Sequence, residues 1–106
     1  MRVELLDAAL HEASDAAAYY DLEVPGLGND YIGELDRAVV AIGERPEAWP
    51  RFGVVRRQTV RRFLLSRFPY SVVYLPNDDH ALIVAVAHGR RRPTYWASRG
   101  QVPNFV

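Results

Sequence analysis

Residues 81–88 read Ala81-Leu82-Ile83-Val84-Ala85-Val86-Ala87-His88, and the first seven form the longest apolar run of the chain. Seven residues fall far short of the twenty or so that span a bilayer. Apolar side chains at both odd and even positions predict a strand whose two faces are both covered, hence an interior strand of its sheet. Upstream, Pro76-Asn77-Asp78-Asp79 is a turn signal, and so is Ser66-Arg67. Between and before these breaks, 68–75 and 54–65 are rich in Val, Tyr, Phe and Leu and predict two further strands. The back half is thus expected to be an antiparallel meander of three strands.

The front half has a different period. After a short terminal strand over 2–6, Asp7 is expected to cap a helix over 8–23 whose inner face is Ala9, Ala13, Ala16 or Ala17, and Tyr20. Pro25, Gly26 and Gly28 end it. Asn29 or Asp30 then caps a second helix with the stripe Tyr31, Leu35, Ala38 or Val39, and Ile42, closed by Gly43 and Pro46. Two helices with facing stripes and a short link predict an αα-hairpin. Pro93 is expected to open a short last helix or turn through Tyr95-Trp96, and 100–106 a flexible tail. The predicted fold is α+β, one domain over 1–106, in the order β-α-α-β-β-β.

Composition restricts the function. The chain has 106 residues, 49% apolar and 25% charged, with 13 basic and 13 acidic residues and no cysteine. At this length one core is expected, and a disulfide framework, a zinc ribbon and a thiol nucleophile are excluded. No signal peptide is evident, and a cytoplasmic, non-membrane protein is expected. The neutral total conceals two poles. Residues 1–50 carry eleven acidic residues against three arginines, whereas residues 51–106 carry ten arginines against Asp78 and Asp79. Every basic residue is Arg, the side chain whose planar fork best matches phosphate or carboxylate. Arg56, Arg57, Arg61, Arg62, Arg67, Arg90, Arg91 and Arg92 are too many to be neutralised locally, which suits a phosphate or an acidic protein segment.

Other motifs carry less. His80 and His88 are separated along one strand by roughly 26 Å and share no metal. Asp7, His11 and Asp15 have i, i+4 spacing that is commonplace on a solvated helix, so no metal and no cofactor is expected. Gly26-Leu27-Gly28 lacks the third glycine of a dinucleotide fingerprint and follows a helix. His88, beside Gly89 and Arg90, is the best placed histidine for proton transfer, and Tyr95 and Trp96 are candidates for stacking on a base.

The stretch Arg61-Arg62-Phe63-Leu64-Leu65-Ser66-Arg67-Phe68-Pro69-Tyr70-Ser71-Val72-Val73-Tyr74, then Val84-Ala85-Val86-Ala87-His88-Gly89-Arg90-Arg91, Pro93 and Trp96, resembles the RelE/ParE superfamily of type II toxin-antitoxin toxins. Pro25-Gly26-Leu27-Gly28 and Glu44-Arg45-Pro46-Glu47-Ala48-Trp49-Pro50 are similar to that family's interhelix turn and helix exit. The resemblance implies a small sheet packed on an αα-hairpin, and a hetero-oligomer with a cognate antitoxin. It also implies one of two activities, DNA gyrase inhibition (ParE-like) or cleavage of mRNA on the ribosome (RelE-like). In the nuclease case Arg62, Arg90, Tyr95 and His88 are the catalytic candidates. Leu64 and Ser71 stand where the nuclease branch commonly carries basic residues, and Phe68-Pro69-Tyr70-Ser71 with His88-Gly89-Arg90-Arg91 favours the ParE side. On that reading Arg61, Arg62, Arg67, Arg90, Arg91, Arg92 and Trp96 meet the target, while Leu22, Val24, Ile32, Arg56 and Arg57 meet the antitoxin. A third alternative is a non-toxic binding module of the same fold.

Overall fold

The computed structural model describes residues 1–92 and 94–101. Its elements are β1 (Arg2–Leu5), α1 (Asp7–Glu23), α2 (Leu27–Glu44), β2 (Arg51–Val55), β3 (Gln58–Leu64), β4 (Tyr70–Pro76), β5 (His80–His88) and a 3₁₀ segment, Ala97–Gln101. Among the described residues the strands form one mixed sheet in the order β1-β5-β4-β3-β2. Strand β1 runs parallel to β5 with Arg2 opposite His80, and the other neighbours are antiparallel. The α+β class and the interior place of the apolar strand are as expected.

Four details differ from the sequence reading. The stretch 54–65 is not one strand: it turns back at Arg56-Arg57, so four strands follow the helices, and β2 forms the sheet edge. Neither Arg is a turn signal by composition, which is why the break was not legible. Helix α1 begins at Asp7, with Leu6 as a cap lacking any side-chain bond. Helix α2 begins at Leu27 behind Gly26, which adopts φ 91°, a left-handed conformation that a side chain would strain. Residues Gly100 and Gln101, expected in a tail, belong to the 3₁₀ segment, and 102–106 lie outside the described residues.

The helices pack on one face of the sheet. Ala9, Ala13 and Ala16 of α1 and Tyr31, Leu35, Ala38 and Ile42 of α2 join Val72, Tyr74, Ala81, Ile83 and Val86 in one buried cluster. Methyl-sized side chains along α1 let that helix lie close against β5 and α2. The opposite face carries a second cluster built on Val60, Val73, Leu75, Leu82, Val84, Ala85, Ala87 and Trp96. Strand β5 feeds both because its side chains alternate, and Val84 is an extra residue that shifts the alternation: Val73 pairs with Ala85 and Tyr74 with Ile83. That bulge places Val84 and Ala85 consecutively in the second cluster.

The helical hairpin closes through Gly28. Its N–H donates to Asp21 Oδ1 at 2.8 Å, and a Cβ there would lie 2.5 Å from the Ala17 carbonyl oxygen. Gly28→Ala is therefore expected to destabilise by about 2–3 kcal/mol, where an ordinary helical Gly→Ala change stabilises. Urea unfolding of the two proteins checks the sign.

Candidate functional site

Alternation along β3 sorts the arginines. Val60 and Arg62 point to the second face, whereas Arg61 and Phe63 point to the helix side, where Phe63 packs against the first cluster. Arg62 Cζ lies 4.0 Å above the ring of Phe52, which fixes the guanidinium plane by cation–π contact. Beyond the end of β5, Arg91 Cζ lies 3.8 Å above the ring of Tyr95. Arg62, Arg91, Arg92 and His88 line one cleft of about 140 Å³ together with Phe52, Ser71, Val73, Ala87, Gly89 and Trp96. Its lining contains no carboxylate. Three guanidinium groups, two of them held on aromatic rings, make a surface suited to phosphate or carboxylate.

The remaining expected contacts separate from this cleft. Arg61 is an anchor: its side chain is 13% exposed, its Nη1 donates to the Trp49 carbonyl at 2.7 Å, and its Nε lies 3.8 Å from Glu47. It fastens the segment leading into β2 instead of facing a target. Arg67 sits on the helix side, 3.6 Å from Asp30 and 5.4 Å above Phe68. Its backbone N–H and that of Ser66 both donate to buried Glu34, which ties the β3–β4 turn to α2. Arg90 is exposed, and its N–H donates to His88 Nδ1 at 2.9 Å. The Tyr70 and His88 rings are nearly perpendicular with centroids 5.0 Å apart, a contact that further orients the imidazole.

Trp96 is not a free stacking platform. It is 2% exposed, 5.9 Å from Phe52, and lies with Val55, Leu75, Val84 and Ala97. Tyr95 is likewise committed: its hydroxyl donates to Glu12 at 2.6 Å, and burial followed by that carboxylate pushes its pKa up to about 12. The four nuclease candidates therefore divide. Arg62 and His88 share the cleft with Arg90 adjacent, while the Tyr95 hydroxyl is engaged elsewhere.

Glu12 is the residue the sequence reading missed. Strand β1 stops at Leu5, which leaves the β1-side edge of β5 without a strand beyond Ile83. Side chains take over there. Glu12 accepts from the Val86 N–H at 3.0 Å and from both terminal nitrogens of Arg99, at 2.9 and 3.1 Å, while Arg99 also donates to the Val84 carbonyl at 3.1 Å. Burial pushes the Glu12 carboxyl up, but the bonds from Arg99, Tyr95 and Val86 outweigh it and hold the pKa below the ordinary value. The same pairing raises Arg99. The available signal was spacing, since Glu12 falls within the Ala9, Ala13, Ala16 stripe.

The expected antitoxin residues occupy two places. Leu22 and Val24, at the end of α1, are 87% and 53% exposed, with Tyr19 also exposed, whereas Ile32 is partly buried against the helix-side cluster. Arg56 and Arg57 stand at the tip of the β2–β3 hairpin.

Two comparisons place the chain. A solved structure described as the chromosomal ParDE TA system from P. aeruginosa superposes with a TM-score of 0.70 over 83% of this chain and 95% of that one, at 16% identity. No curated protein matches the chain. The family model described as the ParE toxin of type II toxin-antitoxin system, parDE, matches residues 3–93, from β1 through β5 and the arginine run after it, and by that match the chain belongs to the ParE toxin family.

Proposed function

We propose that this toxin arrests growth by binding DNA gyrase in the cytoplasm, and that a co-encoded antitoxin neutralises it by docking on the helical hairpin. The observation that carries the reading is the division of the cleft's chemistry. Cations converge there, but the hydroxyl of Tyr95, the phenol expected to transfer a proton, is bonded to Glu12. RNA cleavage by an internal 2′-hydroxyl needs a base and an acid beside the positive charge, and loss of one such preorganised group costs on the order of 10² to 10³ in rate. Leu64 and Ser71 add neither. A binding surface needs only the arginines. Arg62, Arg91 and Arg92 are its centre, and Arg90 is its exposed margin. The antitoxin is expected to cover Leu22 and Val24, the apolar side chains left open at the end of α1, with Ile32 behind them.

Supercoiling by purified gyrase, run beside a primer-extension assay on ribosome-bound mRNA, tests the assignment. Wild-type protein is expected to inhibit supercoiling and leave the message intact, and Arg62→Ala with Arg91→Ala to weaken inhibition at least about tenfold. Cleavage of the message at defined positions, or unaffected supercoiling at saturating protein, rejects it.

A further inference from the structure

We propose that the β2–β3 hairpin is a nucleic-acid-binding arm whose tip, Arg56-Arg57, contacts the phosphate backbone of duplex DNA. This goes beyond the gyrase reading and does not depend on it.

Backbone conformation provides the first ground. Val55 pairs with Gln58, so Arg56 and Arg57 alone form the loop, and both lie at positive φ, 50° and 68°. Two central residues at positive φ make the turn type in which Asn-Gly is the favoured pair, because that conformation crowds any longer L side chain. Arginine holds both positions here. A strained conformation kept at the most exposed point of a hairpin points from the outlier to a use for the side chains.

Charge and shape then identify the ligand. Residues 51–77 carry six arginines and no acidic residue. Arg56 and Arg57 are exposed, and neither makes an ion pair among the described residues. Beside the tip Val54 is 68% exposed, whereas an acidic peptide segment is ordinarily held by apolar sockets as well as by charge. Phosphodiester contacts require none. Strand β3 pairs with β4 from Arg61 onward, whereas Val54 and Val55 pair with Thr59 and Gln58, which leaves the tip as a two-stranded ribbon. A ribbon of this kind fits the major groove of B-form DNA. This ligand replaces the antitoxin contact expected for Arg56 and Arg57 from sequence.

The test measures binding of the full chain to a short fluorescent duplex of mixed sequence, from about 50 to 200 mM salt, without gyrase or antitoxin. The probe variant is R56N/R57G, which gives the turn its favoured residues. It is expected to bind the duplex about tenfold more weakly, to reduce the slope of log K against log salt by about 1.8, and to raise Tm by about 5 °C. Opposite signs for binding and stability are the signature of strain kept for contact. Absence of wild-type binding, equal binding by the variant, or a lowered Tm overturns the proposal. So does equally tight binding of polyglutamate at the same salt, which would make the ligand an acidic protein. Because gyrase is absent, failure here leaves the gyrase reading standing, and failure of the supercoiling assay leaves this one standing.

Discussion

Trp96→Ala is expected to unfold much of the protein at moderate temperature, lowering stability by about 3–5 kcal/mol, as truncation of a fully buried indole does. The magnitude rests on its place: Trp96 is 2% exposed and closes the second face of the sheet, where among the described residues neither α-helix packs and the segment after β5 is the cover. At about 4–8 °C per kcal/mol for a domain of this size, Tm falls by at least about 12 °C. The loss is a large fraction of the 5–15 kcal/mol that holds an ordinary domain together. Trp96→Phe, which keeps a ring against Phe52, is expected to restore more than half of it. Circular dichroism melts of the three proteins decide the matter, and an unchanged Tm in Trp96→Ala would detach the C-terminal segment from the fold.

Glu12→Gln is expected to cost about 2–4 kcal/mol near neutral pH, because it leaves the Arg99 guanidinium enclosed without its counter-charge. The amide still accepts one bond, from Val86 or from Arg99, which keeps the loss below that of Glu12→Ala. The pH dependence has a definite sign. The folded-state pKa of Glu12 is held below the ordinary carboxylate value, so its stabilisation is fully present above that ordinary value and disappears as pH falls through the lower folded one. Wild type and Glu12→Gln should therefore differ most near neutrality and converge in acid. Urea titrations at about pH 7 and about pH 3 test this, and a constant difference would show that the bonds of Glu12 are insensitive to its charge.

Patterns with a clear period were legible in the sequence, and contacts made by single polar side chains were not. The alanine stripe of α1, the Tyr31-Leu35-Ala38-Ile42 stripe of α2 and the two-sided apolar run of β5 each appear where periodicity puts them, because burial acts on every turn or every second residue. The hairpin at Arg56-Arg57 escaped notice since its turn is held by cross-strand pairing, against local preference. The number of arginines is legible in the sequence, but their division between the two faces is not. Composition supplies a total, while the parity of β3 sends Arg61 inward to Trp49 and Arg62 outward to Phe52. Tyr95 and Trp96 looked available because nothing local announces a partner 83 residues away for one and a core position for the other. Glu12 and Glu34 went unremarked for the same reason: each is one carboxylate on a helix, made structural by backbone N–H groups far along the chain.

The parallel pairing of Arg2–Leu5 with His80–Ile83 also sets a timetable for synthesis. The first strand has no partner until the last one exists, and Glu12 waits for Arg99, 87 residues later. At about 5–20 residues per second, a growing chain spends several seconds with its two helical segments synthesised and its sheet impossible to close. A toxin built in this way cannot become active in stages. The arginine cleft is assembled from β3, β4 and the residues after β5, so it appears only when the polypeptide is nearly finished. On the docking proposed above, the apolar end of α1 is synthesised before that cleft, so capture by an antitoxin would precede the first functional moment of the protein.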